Sequence, residues 1–246
     1  MRPVFFLSDF GFEDPYVGVV RGVIAQLAPG APVHDLGHDL PPQDLKKAAW
    51  SLFAAVPWLP EGAVVLAVVD PGVGTDRRAL AVRGQRLFYV LPDNGLLTLA
   101  AERDPLEAAV ALPLPEAASA TFHGRDVFAP AAARLAAGAG LKELGTPREV
   151  AALQRLPLEL GEEAGEVLTF DRFGNAITTV KNPARPPRAV RVGRHTLPFV
   201  RTFADVAPGQ PLAYAGSSGL VEVAVNQGSA RALLGLKGGE AVRLVF

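Results

Sequence analysis

Residues 63–69 read Ala-Val-Val-Leu-Ala-Val-Val, an apolar run without a polar interruption and with valine at four of its seven positions. A strand with one wet face alternates apolar and polar residues. An unbroken run bounded by Gly62 and Asp70 instead fits a strand covered on both faces, as at the centre of a parallel sheet. Pro3–Leu7 and Leu87–Leu91 read as further strands. Tyr16–Leu27 and Ala129–Ala137 carry helical patterns, the second with Pro130 in its first turn. Strand, loop and helix therefore repeat through the first 150 residues, which predicts an α/β layered domain with a mainly parallel central sheet. Residues 138–165 form a Gly-, Pro- and Glu-rich connection with at most one short helix. From Glu166 the chain reads as short strands (EVLTF, AITTV, AVRVG, LAYAG, LVEVAV and AVRLVF) separated by Gly and Pro turns. That spacing predicts a smaller, antiparallel, β-barrel-like domain. The expected division is 1–155 and 156–246.

Composition narrows the chemistry. Cysteine is absent, so disulfides, thiolate nucleophiles and Cys-ligated metals are excluded. A formal net charge of −1 and the lack of a basic stripe argue against nucleic acid and anionic membranes as partners. No run is long enough to span a bilayer, and the amino terminus enters a strand pattern at once rather than a signal peptide, so the expected location is the cytoplasm.

In α/β sheets ligands gather beyond the carboxyl ends of the strands, and three polar loops fall at such places. Asp9, in Ser8-Asp9-Phe10-Gly11, can accept two hydrogen bonds from a ribose diol, or equally can brace its own loop. Asp70-Pro71-Gly72-Val73-Gly74-Thr75-Asp76-Arg77-Arg78 follows the central strand. Asp70 and Arg77 can meet across it as a charge-assisted pair, functional or structural, and the loop lacks the pattern of a phosphate-binding P-loop. His123, in Thr121-Phe122-His123-Gly124-Arg125-Asp126, gains weight only from the company of the other two. His34-Asp35 and His38-Asp39 could suggest a metal, but Pro32, Gly37, Pro41 and Pro42 oppose the helix that would align the two histidines. That segment reads as a strand-end turn, and no metal site is expected.

The ordered motifs SDFG-x2-DPYVGVVRGVI, VVDPGVGT-x-RR, PDNGLL, TFHGRDVFAPAAA, FDRFGNAITT and GSSGLVEVAVNQGSA extend from Leu7 to Ala230. As a set they resemble the S-adenosylmethionine (SAM) hydrolase family, also called SAM hydroxide adenosyltransferases, hydrolytic relatives of the bacterial fluorinase and chlorinase. The resemblance implies that Asp9 holds the ribose hydroxyls and that Asp70, Arg77 and His123 position and polarise an attacking water. It implies that Trp50, Phe122 and Phe203 flank the nucleoside, with core packing as the alternative for each aromatic. It places Asp171, Phe173 and Asn175 on the methionine or adenine side, Ser217 and Ser218 at the methionine carboxylate and amine, and Asn226 and Gln227 at the adenine edge.

The same resemblance implies cleavage of the C5′–S bond of SAM to adenosine and methionine without a cofactor. It also implies a homotrimer whose active sites lie between subunits. The halogenating relatives carry Tyr at the position of Asp70, and the fluorinase carries Ser at that of Gly124. A carboxylate beside the nucleophile repels halide and accepts a hydrogen bond from water, which favours hydrolysis. Ser218 replaces the halogenases' Arg, which leaves the grip on the methionine carboxylate open. The competing readings are a halide-dependent 5′-halo-adenosine synthase, a methyltransferase, which would call for a Gly-rich loop where SDFGFEDP stands, and a SAM- or adenosine-binding sensor without turnover.

Overall fold

The computed structural model describes all 246 residues, which divide into two compact units, Met1–Leu156 and Pro157–Phe246. The first unit holds strands β1 (Val4–Ser8), β2 (Val33–Gly37), β3 (Val64–Val68), β4 (Ala79–Gly84), β5 (Phe88–Pro92), β6 (Leu106–Ala111) and β7 (Thr146–Arg148), and helices α1 (Tyr16–Leu27), α2 (Leu45–Ala55) and α3 (Ala129–Ala136). The sheet runs β2-β1-β3-β5-β4-β6-β7. Its first four strands are mutually parallel, and β4, β6 and β7 extend it in antiparallel fashion.

The apolar run at 63–69 is the middle of this sheet, and every residue of β3 is buried. Val64, Leu66 and Val68 pack with Val20 and Ile24 of α1 and Ala132 and Leu135 of α3. Val65, Ala67 and Val69 face the other way and pack with Ala48 and Leu52 of α2. Period-two alternation thus sends one apolar strand into two cores. The chain leaves β1 toward β2 on one side and reaches β3 on the other, so the strand order reverses between β1 and β3. That reversal opens the sheet's ligand crevice where Asp9 and Asp70 emerge.

Three expectations need correction. Residues 33–37 are not a turn but strand β2, paired with β1 through Val4↔Val33 and Phe6↔Asp35. An edge strand tolerates His34 and Asp35 because its side chains stay partly in water. The helix expected from Ala129 is continuous with a π-helical turn, Gly124–Phe128, so helical structure begins directly after His123. The connection after residue 138 contains β7 and two short 3₁₀ turns.

The second unit is a curled seven-stranded sheet of β8 (Ala164–Phe170), β9 (Ala176–Lys181), β10 (Ala189–Val192), β11 (His195–Pro198), β12 (Pro211–Ala215), β13 (Leu220–Val225) and β14 (Ala241–Val245), with one short helix, α4 (Ala230–Leu234). Its order is β11-β10-β14-β8-β9-β13-β12, with antiparallel pairing throughout. A parallel bridge between Phe199 and Ala213 brings the two edges together, so the barrel is nearly closed. Val190, Val192, Val221, Val223, Val225, Val242 and Leu244 alternate into its interior. No helix of the protein is long and apolar enough to cross a membrane.

Candidate active site

The loop after β3 is shaped by its glycines. Gly74 has φ +80°, and a Cβ there would lie 2.6 Å from the carbonyl oxygen of Ala120. Only glycine permits both the left-handed backbone and this approach. The contact ties loop 70–78 to the segment that leads into His123. Thr75 accepts from the backbone N–H of Arg77 at 3.3 Å and donates to the Gly72 carbonyl at 2.7 Å, which sets where Arg77 leaves the loop. The second segment is fixed by Asp126, whose carboxylate accepts from the Ser119 N–H at 2.8 Å.

These constraints bring together three side chains whose outermost members, Asp70 and His123, are 53 residues apart in sequence. Arg77 donates through Nε to both Asp70 carboxylate oxygens, at 3.0 and 3.1 Å, and through a terminal nitrogen to Oδ2 at 2.5 Å. That terminal nitrogen also lies 2.8 Å from His123 Nδ1. The guanidinium sits 5.2 Å above the Phe128 ring, which covers its apolar face. Guanidinium nitrogens only donate, so Nδ1 is the acceptor and the neutral imidazole carries its proton on Nε2. Burial, and then the adjacent Arg77 charge, push the His123 pKa below the ordinary histidine value. His123 is therefore neutral at physiological pH, and its Nε2–H is a hydrogen-bond donor.

The end of β3 is held from below. Asn94 donates to the Val69 carbonyl at 2.9 Å, and Arg78 pairs with the buried Asp93 at 2.7 Å through Nε. Asp93 and Asn94 both belong to the PDNG turn after β5, a role that the motif alone did not disclose. On the neighbouring strand, Ser8 pairs with Val68, which places Asp9 alongside the start of the Asp70 loop. Asp9 Oδ2 accepts from the Gln43 N–H at 2.8 Å, so it does brace a loop. Gln43 has φ +64° and immediately precedes Asp44, the cap of α2.

Trp50 lies on α2 with the Lys47 ammonium 4.2 Å over its ring and its indole N–H buried without a hydrogen-bond partner in the chain. Phe122 is half-buried and forms an aromatic cluster with Phe10 and Tyr16, at ring separations of 6.0 and 5.2 Å. The core-packing alternative for Phe122 holds to that extent, since the cluster leans on the α1–α3 core.

The remaining eight candidates belong to the barrel unit. Asp171 braces the β8–β9 turn: it accepts from the N–H of Phe173 at 2.9 Å and, from Asn175, the backbone N–H and the side-chain amide, each at 2.8 Å. Phe173 is 75% exposed and has no core role. Phe203 is exposed too and packs on Tyr214 with ring centroids 5.0 Å apart. Ser217 and Ser218 occupy the turn between β12 and β13. Asn226 donates to the Val206 carbonyl at 2.8 Å, and Gln227 has φ +55°.

Tyr214 and Glu222 escaped the sequence reading. The Tyr214 hydroxyl donates to Glu222 at 2.5 Å, and burial, reinforced by the Asp171 charge, raises the glutamate's pKa above the usual carboxylate range. A glutamate in the middle of LVEVAV was the one available signal. No group of three or more His, Asp or Glu side chains gathers as a metal site.

Comparison with known proteins gives the family of the chain. Residues 4–145 match the SAM hydroxide adenosyltransferase N-terminal domain and residues 165–243 match the corresponding C-terminal domain. A protein of Thermus thermophilus named (R)-S-adenosyl-L-methionine hydrolase is 60% identical over the full length of both chains. A solved structure from Thermus thermophilus, described as a conserved hypothetical protein, superposes with a TM-score of 0.91 at 59% identity and full coverage of both chains. A fluorinase of Nocardia brasiliensis is more distant, at 29% identity over 99% of this chain and 97% of its own. With both units matched and a relative similar from end to end, the chain belongs to the SAM hydroxide adenosyltransferase family.

Proposed function

We propose that the protein hydrolyses SAM at the C5′–S bond, giving adenosine and L-methionine. The observation that carries this reading is the Arg77 guanidinium bridging the Asp70 carboxylate and the His123 imidazole beside the β1/β3 crevice. Water attacks C5′ in line, the C5′–S electron pair leaves on sulfur, and the sulfonium departs as a neutral thioether. No acid is needed to expel it, and the reaction proceeds without a cofactor. What remains is to hold and orient the water against the carbon. Asp70 accepts a hydrogen bond from the water, which points a lone pair at C5′, and takes the proton that the oxygen sheds as the O–C5′ bond forms, releasing it to solvent. Arg77 and the His123 Nε2–H supply fixed positive dipoles. Because Nδ1 already accepts from Arg77, His123 orients the water rather than removing its proton.

Asp9 grips the ribose diol, and Trp50, Phe122 and Phe203 flank the nucleoside. Asp171, Phe173, Asn175, Ser217, Ser218, Asn226 and Gln227 hold the adenine and methionine ends. The R in the relative's name leads us to assign the R epimer at sulfur as the preferred substrate. The protein works as a cytoplasmic homotrimer in which one subunit's barrel residues complete a neighbour's site.

The test is product analysis by chromatography after incubation with each sulfur epimer of SAM, with and without chloride or fluoride. Adenosine and methionine regardless of halide are expected. Halide-dependent 5′-halo-adenosine would overturn hydrolysis, and intact SAM after prolonged incubation would point to a sensor. Sedimentation as a monomer would refute the trimer.

A further inference from the structure

Beneath the Asp9 loop lies a chain of polar groups, buried at Ser8 and His38 and reaching the surface at Asp35 and Arg21, that the hydrolysis itself does not use. Ser8 and His38 are both essentially inaccessible, at 0% and 1% exposure. The Ser8 hydroxyl lies 2.6 Å from His38 Nδ1, and His38 Nε2 lies 3.1 Å from Asp35 Oδ1, whose other oxygen pairs with Arg21. The Asp35 carboxylate beside Nε2 favours the proton on that nitrogen by its charge, although the pair lacks hydrogen-bond alignment; Nδ1 is then the acceptor and Ser8 donates to it.

The order Ser–His–carboxylate is that of a nucleophilic triad, but here the hydroxyl is sealed inside β1 and also accepts from the Phe10 N–H at 3.4 Å. Its geometry serves another purpose. The His38 carbonyl accepts from the Gly11 N–H at 2.9 Å, so His38 holds residue 8 with its ring and residue 11 with its backbone. Asp9 lies inside that span. The Phe6 and Phe12 rings close on the imidazole edge-on, at 4.5 and 5.2 Å, and leave it little freedom to turn.

We propose that His38, through Ser8, is a positioning residue that aims the Asp9 carboxylate at the ribose diol. This rests on the reading of Asp9 as the ribose ligand. A ribose binder must discriminate vicinal hydroxyls within tenths of an ångström, and a loop pinned on both flanks supplies that rigidity in advance.

The experiment is a thermodynamic cycle by calorimetry on the full-length protein, with adenosine and 2′,3′-dideoxyadenosine as probes and the variants Ser8→Ala, His38→Ala and His38→Gln. Wild type should bind adenosine more tightly than the dideoxy compound. Ser8→Ala and His38→Ala should weaken adenosine about tenfold, the effect of a lost hydrogen bond to a charged group, and leave the dideoxy compound unchanged. His38→Gln, whose amide oxygen can accept from Ser8, should restore most of the preference. Equal weakening of both ligands, or none of either, in variants with wild-type unfolding midpoints would overturn the inference while leaving Asp9 as ribose ligand. If His38→Ala fails to fold, the single-hydroxyl change Ser8→Ala decides. Loss of the preference in wild type itself would remove the Asp9 reading and the inference with it.

Discussion

His123 in the α/β unit and Glu222 in the barrel are both buried titratable groups, yet burial sends their pKa values in opposite directions. Each environment disfavours the charged form, which for an imidazole lowers the pKa and for a carboxylate raises it. The partners differ as well. His123 faces Arg77, contributed by a loop 46 residues away, whereas Glu222 faces Tyr214, eight residues away across one hairpin. The α/β unit thus assembles its polar site from distant loops, and the barrel braces its polar residues within local turns. Geometry built at long range is disrupted by any change that parts the loops. Geometry built locally is lost only when its own turn is altered.

The largest expected effect tests the long-range assembly. Arg77→Ala should lower kcat on the order of a hundredfold, as loss of a preorganised charge at a reacting centre does. Asp70→Ala and His123→Ala combined with it should add little further, because groups acting as a unit are not additive. Additive losses in single-turnover kinetics would show that the three act separately.

Gly74→Ala comes next. It leaves every side chain of the site intact but pushes a methyl group against the Ala120 carbonyl, and roughly a tenfold loss of kcat is expected from the separation of loops. Wild-type turnover would show that the loop approach is dispensable.

Asp171→Ala probes the local side of the contrast. Removing the acceptor of three hydrogen bonds should cost about 1–3 kcal/mol of barrel stability, read from denaturant unfolding, with an accompanying rise in KM. Activity lost without any loss of stability would mean that its direct ligand contact outweighs its bracing role.

The smallest effects are in pH. The folded His123 pKa is lowered, so the unfolded chain binds more protons as pH falls below the ordinary histidine value, and native stability declines on acidification. The raised Glu222 pKa acts with the opposite sign: its contribution is full at low pH and is lost as pH rises through the folded value. His123→Asn should therefore flatten the acidic limb of the stability curve, and Glu222→Gln should remove the loss that accrues as pH rises from the ordinary glutamate value to the raised folded value. Unaltered profiles in thermal melts across pH would contradict both assignments.

Much of this organisation was legible beforehand. The valine run at 63–69, the helix at Tyr16–Leu27 and the barrel strands at 176–180 and 220–225 declare themselves because periodicity and burial are local properties of sequence. Strand β2 did not, since His34 and Asp35 on an edge carry no apolar pattern, and neither did the π-helical turn at Gly124–Phe128, which is a tertiary accommodation rather than a propensity. Asp70, Arg77 and His123 were individually ambiguous. The bridge through one guanidinium nitrogen gives them a common arrangement.

The sequence by itself determined where strands and loops fall and which loops carry charge, because the alternation of apolar residues and the φ demands of glycine act over a few positions. It also carried, in six ordered motifs, the family to which the chain belongs. Only the tertiary structure decided which nitrogen of His123 is occupied, which hydroxyl His38 grips and which carboxylate Tyr214 meets. The first two are matters of ångströms between segments tens of residues apart, set by how two cores pack on one sheet; the third is set by the register of a single hairpin.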